Sequence, residues 1–237
     1  MKLDELNTFD PSLQKKNVFL VSLGATEQHG RFAPQGTDNY IQTALLKEVQ
    51  KTLPEVVFLP LIPVGSSWQQ LGFKGSVSLK EETLYEIIRD IVDSLSDQAS
   101  MFIFVSWHGG NKPVIDKFIN QEQKVYSEIK LLHLTFGDEN TDEAAEKILS
   151  GPAGDHADNT EVSLMLATRP DITKEPQSTD SKPTISFDWN KRVIEVSPTG
   201  EIDTHPKWVA SSQIGEELIK IYSQNLINKI LLATKTI

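Results

Sequence analysis

The amino-acid sequence predicts an α/β fold in three layers, α/β/α, around a mainly parallel central sheet. Two observations carry this expectation. Four short apolar runs are nearly continuous rather than alternating, the pattern of strands covered on both faces. Between them lie segments whose apolar residues recur at helical spacing, and this alternation of strand and helix calls for right-handed crossovers between parallel strands.

The elements follow in chain order. "VFLVSLG" (Val18 to Gly24) is the first strand, and "NYIQTALLKEVQKTL" is a helix with Ile41, Leu45 and Val49 on one stripe. "VVFLPLIPVG" (Val56 to Gly65) is the second strand. "KEETLYEIIRDIVDSLSDQ" is the second helix, with Leu84, Ile87, Ile88 and Ile91 facing one way. "MFIFVS" (Met101 to Ser106) is the third strand, and "PVIDKFINQEQKVYSEI" is a helix with Pro113 at its first position. "IKLLHLTFG" (Ile129 to Gly137) is the fourth strand. A helix from about Thr141 to Leu149 follows, then one from Asn159 to Thr168 that stops before Pro170. Residues Asp171 to Trp208 are rich in Pro, Ser, Thr, Asp and Lys, with a weak strand candidate at "RVIEV". That tract is too long for a plain connector and is expected to be a structured excursion, a lid or a subunit contact. A last helix runs from about Ala210 to Leu232.

Composition narrows the function. With 237 residues, 38% hydrophobic and 24% charged, the chain suits one globular domain over residues 1–237. A net charge of −10 disfavours nucleic acid and anionic membrane surfaces as partners. The absence of cysteine excludes disulfides, thiolate metal sites and a cysteine nucleophile. No run approaches the roughly 20 apolar residues of a membrane span, and the N-terminal residues lack a signal-peptide core, so the cytoplasm is the expected compartment.

In an open parallel sheet the carboxyl ends of the strands face the binding crevice. The first strand runs into Glu27 and His29, with Asp38 shortly after, and the third runs into "WHGGN", which places His108 beyond a strand end. "HADNTE" adds His156, Asp158 and Glu161. Imidazoles and carboxylates in this mixture suit Zn²⁺ or Mn²⁺ better than Ca²⁺. Plainer roles compete with this one. Asp38 stands where it would cap the first helix, and Asp158 with Glu161 has the D-x-x-E form of a capping box. Gly109 and Gly110 let the backbone beside His108 turn tightly and approach a ligand. His133 lies inside an apolar strand and suits a sheet histidine with its own partner, whereas His205 suits either the surface or a visit to the site. Trp68, Trp107, Trp189 and Trp208 are candidates to shield a site, although indoles more often pack in cores and interfaces.

These segments resemble the creatininase, or creatinine amidohydrolase, family. The resemblance rests on "GATEQHGRFAPQGTD", on "WHGGN", and on "HADNTEVSLMLATRPD", which is similar to that family's H-A-G-x-x-E-T-S block. "VGSSWQQLGFKGSVSLKEETL" is more loosely similar to G-x-S-x-x-H-x-x-F-P-G-T, and the blocks together span Val18 to Asp171. The resemblance implies a dinuclear metal hydrolase acting on amide-type C–N bonds. Carried over residue by residue, it assigns Glu27, Asp38 and His108 to one ion, and His29 with a bridging Asp38 to the other. Glu161 completes the second ion, because Gly110 stands where creatininase-like relatives carry a glutamate. Two divalent ions are implied, Zn²⁺ first, with Mn²⁺ or Fe²⁺ as alternatives.

Metal-activated hydroxide would attack a carbonyl, and His156 would pass a proton to the departing nitrogen, with Glu161 as the second catalytic residue. Gly109, Gly110, Gln70 and Trp107 would line the substrate site. Three departures stand out: Gln70 replaces a histidine of many relatives, Lys74 a proline and Asp158 a glycine. The metal shell is kept while the substrate wall has changed, so the expected substrate is a small amide, cyclic or formamide, that need not be creatinine. Alternatives are a hydrolase of a sugar-derived ketone or lactone, a hydrolase of a peptide terminus, and an inactive metal-binding member. The resemblance also implies a homo-oligomer, often a hexamer.

Overall fold

Strands whose residues are apolar at every position need cover on both faces, and the chain supplies it with helices on each side. A computed structural model describes residues 1–14, 16–177, 179–182, 184–188 and 190–235. The sheet has four parallel strands, β1 (Asn17–Ser22), β2 (Val57–Phe58), β3 (Ala99–Val105) and β4 (Lys130–His133), in the order β2-β1-β3-β4. The helices are α1 (Thr37–Thr52), α2 (Glu81–Leu95), α3 (Lys112–Glu122), α4 (Glu139–Leu149), α5 (Asn159–Thr168) and α6 (Ser212–Thr234).

Successive side chains of a strand point to opposite faces. Leu20, Met101, Ile103 and Val105 therefore pack with Ile41, Leu45 and Val49 of α1 and with residues of α5 and α6. Phe19, Val21, Phe102 and Phe104 face the other way, against Leu84 and Ile88 of α2 and Phe118 of α3. Helix α5 is buried from Asn159 to Leu166 and packs against both α1 and α6. Its approach to α6 depends on Gly215, where a Cβ would strike the Ser163 carbonyl.

The predicted strands are shorter than their apolar runs. Only Val57 and Phe58 of the second run form a regular strand, since Pro60 and Pro63 have no N–H for a ladder, and beyond them pairing is reduced to an isolated bridge between Ile62 and Leu23. The Phe58 N–H instead donates to the Met1 carbonyl (2.8 Å), so the N-terminus covers this edge. Helix α3 starts one residue before Pro113 and stops at Glu122. Beyond it the Gln123 side chain bonds the Leu131 N–H (2.9 Å) and the Ile129 carbonyl (2.8 Å), which turns the chain into β4. "RVIEV" is not a strand: Val193–Glu195 is one 3₁₀ turn that buries Val193 and leaves Ile194 and Val196 exposed. Among the described residues of 171–208 no strand forms, and the segment is held instead by polar anchors. The Lys182 ammonium pairs with Asp203 (2.7 Å), both buried, and Arg31 Nε donates to Glu201 Oε1 (2.8 Å).

The strand order has a functional consequence. α1 leaves β1 on one face while α3 leaves β3 on the other, so the connections diverge between the carboxyl ends of these neighbouring strands. A crevice opens where connections part in this way. Among the described residues no helix is long and apolar enough to cross a membrane.

Candidate active site

The loop after β1 brings Glu27 and His29 to that crevice, the loop after β3 brings His108, and the approach to α5 brings His156. Asp38 and Glu161 project from the first turns of α1 and α5. Each of the three imidazoles is oriented by a backbone carbonyl. His29 Nδ1–H donates to the Glu27 carbonyl (3.0 Å), His108 Nε2–H to the Ser66 carbonyl (2.8 Å) and His156 Nε2–H to the Gln28 carbonyl (2.8 Å). The far proton is thereby fixed on every ring, and the other nitrogen faces the carboxylates. His29 Nε2 stands 3.6 Å from both Asp38 Oδ1 and Glu161 Oε2. His108 Nδ1 is 3.3 Å from Glu27 Oε1 and 3.7 Å from Asp38 Oδ2, and His156 Nδ1 is 3.6 Å from Glu27 Oε1.

Buried carboxylates need a compensating cation. Among the described residues, both Glu27 carboxylate oxygens, Asp38 Oδ2 and His29 Nε2 are buried without a hydrogen-bond partner. The neighbouring imidazoles offset this charge when protonated. Burial disfavours charge on His29 and His108, but Asp38 and Glu161 push His29 up to about 10, and Glu27 and Asp38 push His108 up to about 9. Burial would likewise raise Glu27, yet His108, His156 and His29 hold it down to about 2. His156 is lowered, first by burial and then by the charge on His29.

Three sets of ligand-type atoms lie within 4.8 Å of one another: Glu27 with Asp38 and His108, His29 with Asp38 and Glu161, and Glu27 with His29 and His156. Asp38 belongs to the first two, with Oδ2 toward His108 and Oδ1 toward His29. A cavity of about 390 Å³ opens over the cluster, walled by Gln69, Gln70, Trp107, Gly109, Gly110, Pro113 and Asp155. Trp107 is fixed at both ends. Its backbone N–H donates to Gln42 Oε1 (2.7 Å), its indole N–H donates to Glu161 Oε1 (2.9 Å), and its ring meets Tyr222 edge-on at 5.2 Å.

The profile of the creatininase family, described as creatinine amidohydrolase, matches residues 5–230. The chain belongs to the creatininase family. Creatinine amidohydrolase of Pseudomonas putida is 25% identical over 231 residues, 90% of this chain and 88% of that protein. Mycofactocin precursor peptide peptidase of Mycolicibacterium smegmatis is 30% identical over 160 residues, 65% of this chain and 59% of the peptidase. The chain thus spans about three fifths of the length of that relative. A solved structure, "Creatininase Mn", superposes with a TM-score of 0.83 over 97% of this chain and 96% of its own at 23% identity, which is a likeness of fold.

Within this creatininase-family frame the competing roles separate. Asp38 is not an N-cap: α1 begins at Thr37 after Gly36, and the Asp38 side chain turns inward to the imidazoles. Asp158 does cap α5, accepting the Glu161 N–H (2.9 Å), but Glu161 does not close a capping box. Its Oε2 takes the Ala157 N–H (2.7 Å) instead and remains beside His29. Gly110 is packed so tightly that a Cβ would strike the Ser66 carbonyl and the His108 ring, whereas a Cβ at Gly109 would meet open space. His133 lies away from the cluster, with Nδ1 bonded to Asp116 (2.7 Å). His205 is neither a surface residue nor part of the cluster; it is buried against Gly151. Trp68 is partly exposed, Trp208 packs on Phe32 at 4.9 Å, and Trp189 lies outside the described residues.

Two residues escaped the sequence reading. Asn111, the last residue of "WHGGN", is fully buried and bonds the Ser66 N–H and the Gly24 carbonyl, so it joins three strand-end loops. Gln28, between Glu27 and His29, bonds outward to Gln70 and Gly200. The only signal for either was an amide side chain next to ligand-type residues.

Proposed function

We propose that the protein is a hydrolase that uses two divalent ions, Zn²⁺ first with Mn²⁺ or Fe²⁺ as alternatives, to cleave an amide-type C–N bond of a small cyclic amide or formamide. The observation that carries this proposal is the convergence of buried, partnerless ligand atoms from Glu27, Asp38 and His29 with carbonyl-oriented imidazoles. Such atoms are costly to bury without a cation, so the residues fit divalent metal. Glu27, Asp38 and His108 would hold one ion, and His29, Asp38 and Glu161 the other, with Asp38 offering one oxygen to each side.

A divalent ion held there supplies an acidified water and a polarised carbonyl. The chain's own groups do the rest. His156 has Nε2 committed to the Gln28 carbonyl, so it exchanges protons at Nδ1, on the side of the cluster, and serves as the donor to the departing nitrogen. Glu161 accepts from the Trp107 indole and the Ala157 N–H, which fixes its carboxylate beside His29, where it would be a ligand of the second ion and a support for that proton's path. Trp107 walls the cavity and excludes water, and Gly109 leaves backbone accessible to substrate.

Identity with the mycofactocin precursor peptide peptidase favours a second reading, cleavage near a peptide terminus. A screen of lactams, formamides and short peptides, with Zn²⁺, Mn²⁺ or Fe²⁺ added back, separates the two by the product released. Asp38→Asn is expected to lose both metal and turnover. A wild-type protein with no stoichiometric divalent ion, and an Asp38→Asn variant indistinguishable from it, would sink the hydrolase proposal. The family resemblance also supports a homo-oligomer, a hexamer by the same analogy, and a monomer of 26.5 kDa in light scattering would count against that.

A further inference from the structure

Gln70 is almost fully buried, yet it forms part of the cavity wall near Glu27 and His156. A carboxamide can show a ligand either its carbonyl oxygen or its NH₂ group, and the partner on its other side decides which. That partner is Gln28. The Gly30 N–H donates to Gln28 Oε1 (2.8 Å), so the oxygen of Gln28 is identified and its nitrogen must be the donor. The two protons of that nitrogen have two acceptors, the Gly200 carbonyl (3.1 Å) and Gln70 Oε1 (2.7 Å). His156 Nε2 also lies 2.9 Å from it, but this ring nitrogen already donates to the Gln28 backbone carbonyl and takes no proton.

The relay therefore has one consistent arrangement, and it consumes the oxygen of Gln70. Its NH₂ group remains, and among the described residues no protein group accepts from it. The backbone supports the relay from the far side: Gly200 has φ +87° and a Cβ there would strike the Gln28 amide.

We propose that Gln70 reads the substrate as a pure hydrogen-bond donor, and that Gln28 is the positioning residue that holds it in this sense. The site then takes a neutral carbonyl oxygen opposite Gln70, because among the described residues the cavity wall adds Asp155 and no lysine or arginine that would hold an anion. This inference rests on the hydrolase proposal only in treating the cavity as the substrate site. An imidazole in place of Gln70 would change its donors with pH, whereas a carboxamide does not.

The test uses the full-length metal-loaded protein and 2-pyrrolidinone, a neutral lactam, as the probe. Neutron diffraction of deuterium-exchanged crystals is expected to show both Gln70 amide deuterons toward the cavity and one Gln28 amide deuteron on Gln70 Oε1. Gln70→Glu replaces the donor by an acceptor. Gln28→Glu leaves Gln70 intact but makes it turn its NH₂ group away from the cavity. Each variant is expected to weaken 2-pyrrolidinone binding about three- to tenfold, the effect of one hydrogen bond, at unchanged metal content. The double variant is expected to be no worse than either single one. A Gln70 carbonyl facing the cavity, additive losses, or no saturable binding to the wild-type protein would each overturn the inference. Binding that follows this pattern in a protein that turns over nothing in the screen would leave the inference standing and remove the hydrolase proposal.

Discussion

Asn111 offers the sharpest test of how the site is built, because its side chain is the common fastener of three loops. Oδ1 accepts the Ser66 N–H (2.9 Å), while Nδ2 donates to the Gly24 carbonyl (3.0 Å), Ser106 Oγ (3.1 Å) and, at longer range, the Leu23 carbonyl (3.3 Å). Asn111→Ala leaves the Ser66 N–H and the Gly24 carbonyl without partners in a buried place, at roughly 1–2 kcal/mol each, so the expected loss is about 3 kcal/mol. For a chain of this size that lowers the melting temperature by about 6–12 °C. Urea unfolding followed by circular dichroism reads the loss directly. Asn111→Asp keeps the acceptor for Ser66 but aims a carboxylate oxygen at two carbonyls, and it should be at least as damaging as alanine. A loss below about 1 kcal/mol for Asn111→Ala, or an Asp variant clearly more stable than the Ala variant, would refute the fastener argument.

Three further expectations follow from named contacts. Addition of Zn²⁺ at 100 times its dissociation constant should stabilise the wild-type protein by about 2.7 kcal/mol, and Asp38→Asn should abolish most of that gain in a thermal-shift titration. The Lys229 ammonium, 3.0 Å from Asp138, holds that carboxyl down to about 2 from 3.8. Its contribution is complete above about pH 4 and is lost as the pH falls toward 2, so Asp138→Asn should flatten that part of an acid titration followed by helical circular dichroism. Ala157 sits at φ +52°, a left-handed conformation costly for a residue with a Cβ. Ala157→Gly should therefore raise stability by about 0.5–1 kcal/mol in urea unfolding, and a loss would show that the strain is absent.

Much of the fold was legible because its strands are buried on both faces and its helices carry clear stripes, such as Ile41, Leu45 and Val49. The ends of the strands were not, since hydrophobicity persists past the regular ladder: Leu134 to Gly137 and Leu59 to Gly65 are apolar enough for a strand but keep only scattered bonds to their neighbours, Leu134 N–H to the Phe104 carbonyl and Ile62 N–H to the Ser22 carbonyl among them. "RVIEV" failed for the same reason, as β-branched residues mark a strand only where an edge is available. The clustering of Glu27, His29, Asp38, His108, His156 and Glu161 could be anticipated from strand-end placement and the family blocks. The carbonyl partners that orient the imidazoles could not, because a backbone oxygen leaves no trace in residue identity. Asn111 and Gln28 were hidden because a buried amide and an exposed one look alike in sequence.

The order of the strands also governs when the cluster can exist during synthesis. Its side chains come from positions 27 to 161, and the two strand ends that flank it, β1 and β3, are separated in the chain by α1, β2 and α2. A nascent chain that has emerged through the loop after β3 can pair those strands and carries His108, but still lacks His156 and Glu161. Half-formed, it exposes Glu27 and Asp38 with only His29 and His108 opposite them, a mostly anionic patch. On the proposed ligand sets, Glu27, Asp38 and His108 are in place before α5, whereas the second set needs Glu161, so uptake of the second ion should report that α5 has docked, and pulse-labelled chains truncated before residue 156 should retain at most one ion.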